Sequence, residues 1–165
     1  MRRLYTVLAW SVAAGVVVQA AAIAFAFGGV LNRVQEGGVI DKALVESGGS
    51  AGRGELGFWI HGIVGGVVIP MIAVALLVVA FLVRARGARL WAALVLGVVV
   101  LQVTLGFSLT DVPYLGLVHG ANAVAIVATA SISALRMRPA RTPHDRVSSH
   151  RTDDTAGASG HVAAA

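Results

Sequence analysis

The chain has 165 residues, of which 57% are hydrophobic and only 13% charged, and its mean hydropathy is +0.82. A soluble domain is about 25% charged; here the apolar residues also run on in long unbroken stretches, which excludes an ordinary soluble fold and indicates an integral membrane protein. The net charge of +5 comes from arginines beside the apolar stretches, so it reads as a topology signal and no nucleic-acid partner is expected, while the absence of cysteine excludes disulfides, thiolate metal sites and a cysteine nucleophile.

The first apolar stretch follows Arg2 and Arg3 and runs from about 5 to 27. A span takes roughly 20 residues, so this stretch is long enough. A cleaved signal peptide is the rival reading, with the alanines near Ala26 as the cleavage site; the apolar run exceeds the roughly 7–15 residues usual for such a segment. Residues 28–57 form the long polar connection, rich in glycine and mixed in charge. Val30–Val34 and Val39–Val45 suggest short interfacial helices within it, although the glycines count against them. The second span covers 58–83, and Pro70 in its interior predicts a kink. After a basic turn carrying Arg84, Arg86 and Arg89, the third span covers 90–109 and the fourth 114–135. The tail, 139–165, is polar and aperiodic, which predicts disorder.

The expected fold is thus all-α: an up-down-up-down four-helix membrane bundle over residues 1–138. The N-terminus, the 84–89 turn and the segment after 135 are basic. The 28–57 loop balances Arg33, Lys42 and Arg53 against Glu36, Asp41, Glu46 and Glu55, and the last turn holds Asp111. The positive-inside rule places both termini in the cytoplasm and both polar loops outside.

Depth then sorts the polar residues. His61 and His119 fall roughly 5–9 Å below the outer ends of spans two and four, and Gln19 and Gln102 about 10–12 Å below the outer ends of spans one and three. Asn122 lies one turn deeper than His119. All four helices therefore bring polar side chains to the outer half, and nothing comparable is expected in the inner half. Two histidines at one depth can supply both axial ligands of a haem iron. Small residues beside each would admit a flat macrocycle: Gly57, Gly62 and Gly65 near His61, and Gly116, Gly120 and Ala123 near His119. Gln19, Gln102 or Asn122 would orient an imidazole. The same residues also fit plain helix packing. Gly62-x-x-x-Gly66 is a small-xxx-small pattern, Gln19 and Gln102 are able to bond each other, and Asp111 with Pro113 reads as turn chemistry or a cap for the fourth helix. His144, His150 and His161 lie dispersed in the tail and read as solvated.

The stretch Gln102–Ala123, with its QVTLG, a short proline-bearing turn and a histidine early in the next helix, resembles the heme A synthase family. That family joins two four-helix halves, each with histidines on its second and fourth helices, and the resemblance implies a haem site at His61 and His119. The chain departs from it in three respects. Phe58 stands where the catalytic half carries a carboxylate, the outer loop lacks a cysteine pair, and there is a single half. The resemblance therefore implies a haem site without heme A synthesis by this chain alone. Gln19, His61, Gln102, His119 and Asn122-Ala123 also match a pattern in small four-span bacterial membrane proteins, a resemblance that implies fold and site but no activity.

Three functions are compatible with these residues. The first is a bis-histidine b-type haem protein that moves electrons or handles haem, with His61 and His119 as ligands and Gln19, Gln102, Asn122, Gly65, Gly116 and Ala123 lining the pocket. The second is a haem-free bundle that assembles with a membrane protein partner or with itself. The third is a small transporter lined by Gln19, Gln102 and Asn122, against which the lack of charged residues inside the spans counts. No hydrolytic triad or carboxylate pair is recognisable, so the chain is not expected to be an enzyme on its own.

Overall fold

The computed structural model describes residues 1–46, 52–109 and 111–137. The tail expected to be disordered lies outside the described residues. Helices α1 (Arg2–Gln35), α2 (Lys42–Glu46), α3 (Glu55–Ile63), α4 (Ile69–Leu82), α5 (Ala88–Ser108) and α6 (Leu115–Leu135) follow in order, and one π-helical turn, Val64–Val68, joins α3 to α4 as a continuous rod. Four rods are long and apolar enough to cross a membrane: α1, α3 through α4, α5 and α6. The protein is an all-α, four-helix membrane bundle. Helix α1 packs on α6 and on the α3–α4 rod, and α5 packs between α4 and α6, so the up-down chain closes into a ring.

The first span reaches well beyond its expected end. Gly28 and Gly29 suggested a loop, yet they lie within α1, and Val30–Val34 belongs to the same helix rather than to a separate interfacial one. Gly29 is buried there because a side chain would overlap the backbone of Gly54. The helix stops at the next glycine pair. Gly37 takes a left-handed φ of 84°, and the N–H groups of Gly37 and Gly38 bond back to Val34 and Arg33 at 3.0 and 2.9 Å. That pattern satisfies carbonyls that a helix end leaves open. The second short segment expected in the loop is the single turn α2.

At Pro70 the bundle uses a wide turn. Proline offers no N–H and its ring collides with the carbonyl four residues back. The π turn ends immediately before it, with the N–H of Ile69 reaching the carbonyl of Val64. The expected kink is thus a local change of helical pitch inside one rod.

The continuous core lies toward the arginine-bearing ends of the helices. Tyr5, Ala9 and Val12 of α1 meet Ala73, Leu76 and Ala80 of α4, Ala88, Ala92, Val95 and Val99 of α5, and Ile126, Ala130 and Ala134 of α6. The three- and four-residue spacings put each set on one face. Alanine recurs because helices in lipid gain little from burying bulk and more from close packing. The same end holds a polar cluster where none was expected. The Tyr5 hydroxyl donates to the Ala88 carbonyl at 3.0 Å and lies 2.7 Å from the Ser133 hydroxyl. Tyr5 and Ser133 are wholly buried. Ser133 can donate to Tyr5 while Tyr5 donates to Ala88, so both hydroxyls are used.

Candidate functional site

At the other end of the bundle the small residues of α3 draw it against α1. A side chain at Gly54 or Gly57 would strike the backbone of Ala22 or Ala26. The ring of Phe58 meets Phe27 edge-on, with centres 5.9 Å apart. The helix seam is therefore built from Gly54 and Gly57 against Ala22, Ala26 and Gly29. Gly62 and Gly66, expected to form it, have open space beside them instead. Helix α3 packs on α1 without comparable packing on α5 or α6, so the bundle is open on that flank among the described residues.

Gln19 sits 8% exposed on α1 and faces the junction of α3 with the π turn. With its carboxamide oriented to satisfy both atoms, the nitrogen donates to the His61 carbonyl at 2.9 Å and to His61 Nδ1 at 2.8 Å, and the oxygen accepts from the Gly65 N–H at 3.1 Å. The amide thus fills the place where the regular ladder of the helix is interrupted. Gly65 is a glycine because any Cβ would come within 2.8 Å of the Gln19 carboxamide. It serves the amide as much as any ligand.

The π turn also sets the direction of His61. At about 100° per residue, an unbroken α-helix would place His61 about 90° from the face that carries Ile69, Ala73, Leu76 and Ala80. The extra residue taken up by the π turn returns His61 to that face. It there meets His119 of α6 across the bundle, with ring centres 6.4 Å apart and planes at 50°.

The partners of the two rings differ. His61 Nδ1 lies 3.4 Å from the main-chain carbonyl of Gln19. His119 Nδ1 is buried with no hydrogen-bond partner among the described residues. No hydrogen bond engages either Nε2 among the described residues. The tautomer of His61 decides which partner it uses: a proton on Nε2 leaves Nδ1 to accept from the Gln19 amide, and a proton on Nδ1 points to the carbonyl and frees Nε2.

Gln102 and Asn122 form a second pair. Asn122 is 8% exposed and donates from Nδ2 to Gln102 Oε1 at 2.7 Å and to the Val98 carbonyl at 2.8 Å. The two glutamines thus bind different partners, and the direct bond suggested between Gln19 and Gln102 is absent. Gly116 lies against Leu109, and Ala123 is half-buried next to Asn122. Thr104 and Ser108 bond back to carbonyls of their own helix and are spent there. Asp111 is exposed and α6 has no side-chain cap; the turn is closed by main-chain bonds such as Leu115 N–H to Val112.

Gly106, on α5, escaped the sequence reading. A Cβ there would lie 3.3 Å from Cε1 of His119, so the glycine lets the ring rest against α5. Its signal was present in the QVTLG stretch, four residues after Gln102, but nothing there tells that it faces a histidine on the next helix.

Comparison with family models, with curated proteins and with solved structures finds no match.

Proposed function

We propose that the histidine end of the bundle holds one b-type haem, with His61 and His119 as its axial ligands. The observation that carries this reading is the 6.4 Å between ring centres. Two imidazoles that share one metal through a nitrogen each, with bonds of about 2 Å, have ring centres about 6 Å apart. The Gln19 main-chain carbonyl, 3.4 Å from His61 Nδ1, supports the same reading, since a ligating imidazole ordinarily gives its other N–H to a carbonyl or carboxylate. Among the described residues no third histidine, carboxylate or cysteine joins the pair. A bare metal ion would then have two protein ligands, whereas a haem iron brings four equatorial nitrogens with it.

Bound there, haem would supply one-electron redox chemistry at a potential tuned by burial and by hydrogen bonds to the ligands. The chain's own residues hold and tune. Gln19 orients the His61 imidazole, Gln102 and Asn122 hold each other beside the pair, and Gly106 gives His119 its seat. With the arginine end facing the cytoplasm of a bacterial inner membrane, the haem lies toward the outer surface, in reach of a partner there. The role is electron transfer or haem handling, not heme A synthesis.

The test is the absorption spectrum of protein purified from haem-replete cells. A low-spin haem band in the wild type, absent in both His61→Ala and His119→Ala, supports the proposal. A colourless wild-type protein overturns it.

A further inference from the structure

We propose that the turn between α4 and α5 binds the phosphate of an anionic phospholipid headgroup. This proposal is independent of the haem reading. The turn borders a shallow, open depression lined by Val83, Arg84, Arg86, Gly87, Arg89 and Leu90. Three arginines within six consecutive residues therefore border one surface. Arg2 joins them from α1, with Nη2 donating to the Arg84 carbonyl at 3.5 Å.

This charge has no protein counter-charge among the described residues. Glu36, Asp41, Glu46, Glu55 and Asp111 all stand at the opposite end of the bundle. The ion pair found among the described residues, Lys42 with Glu46, is there too. The local backbone adds to the imbalance. Helix α5 starts after Gly87 with no side-chain cap and no acidic residue in its first turn, which carries Arg89 instead. A cation opposes the dipole at a helix N-terminus, and an anion relieves it. Arginine also grips phosphate through paired N–H groups, which lysine cannot do.

The surroundings select a lipid over free phosphate. Phe81, Leu82 and Leu90 beside the depression are each more than half exposed, offering apolar surface next to the guanidinium groups. The Arg89 guanidinium lies 5.0 Å from the centre of the Phe81 ring, so charge and lipid-facing surface are held together. A free anion would use the arginines alone; a phospholipid uses both.

Native mass spectrometry of the full chain in neutral detergent, titrated with phosphatidylglycerol and with phosphatidylcholine, tests the proposal. The wild type should retain one phosphatidylglycerol under conditions where phosphatidylcholine is lost. The double variant Arg84→Gln/Arg86→Gln should bind it about thirtyfold more weakly, because each arginine near an anionic headgroup contributes roughly a factor of five. Arg84→Lys/Arg86→Lys, which keeps the charge and the topology signal, should recover part of the loss. Arg3→Gln removes the same charge elsewhere and should change little. Equal retention of the two lipids, or an Arg3→Gln effect as large as that of Arg86→Gln alone, would overturn the site. Displacement by inorganic phosphate alone would overturn its assignment to a lipid.

Discussion

The two ends of this bundle are made of the same four helices and solve opposite problems. At the arginine end, alanine and valine faces close on a continuous core, and the Tyr5–Ser133 pair is fully hydrogen-bonded to itself and to Ala88. At the histidine end the backbones of α1 and α3 touch through glycine and alanine, the α5 flank is open, and two imidazoles face each other with a nitrogen to spare. Satisfied polar groups in lipid lock helices together; unsatisfied ones mark a place prepared for something else. The difference separates the part that holds the fold from the part for which a haem site is proposed.

Removing one residue from the π turn should break this contrast most completely. Deletion of Val67 restores a regular helix at the same hydropathy and turns His61 about 100° off the core face. If His61 and His119 hold haem as proposed, its absorbance should disappear while helicity by circular dichroism and the core at the arginine end persist; a retained haem band would show that the turn does not aim the histidine. Gly57→Leu comes next. It forces α1 and α3 apart where no flexible side chain can give way, and should cost about 3 kcal/mol in a reversible unfolding assay, with increased hydrogen exchange confined to the histidine end. Gln19→Leu leaves the Gly65 N–H and the His61 carbonyl short of their partner and should cost about 2 kcal/mol. It should also shift the haem spectrum or midpoint potential, a change that a purely structural glutamine would not produce. Tyr5→Phe should be smallest, about 1 kcal/mol, and should leave the haem spectrum untouched. A spectral change in Tyr5→Phe would mean that the two ends are coupled, which is the outcome most damaging to the contrast.

The spans were readable because long apolar runs bounded by arginine have few other uses, and their helices begin and end within a few residues of expectation except at the end of α1. That exception has a physical cause. Gly28-Gly29 looks like punctuation in sequence, but a glycine pressed against another backbone is as much a helix-packing device as a turn, and the contact with Gly54 is invisible until both are placed. The polar set at the histidine end was readable from depth alone. Its pairing was not, since depth does not tell which helices are neighbours: Gln19 found His61, and Gln102 found Asn122. The facing of the two histidines depends on one π turn that no hydropathy pattern betrays. Tyr5 and Ser133, 128 residues apart in the chain, gave no hint in sequence of lying 2.7 Å from each other.

The contact of Gly29 with Gly54 bears on how this chain can tolerate change. It presses α1, six residues before that helix ends at Gln35, against the start of α3, so the connection leaves and re-enters helices that are already in contact. Lengthening a connection between helices already in contact is inexpensive, about 0.6 kcal/mol for each doubling. An epitope or a small soluble domain introduced at Val39, which is 70% exposed, would therefore leave the distance between His61 and His119 unaltered. The loop is the place where descendants of this sequence can acquire new length without retuning what lies beneath it.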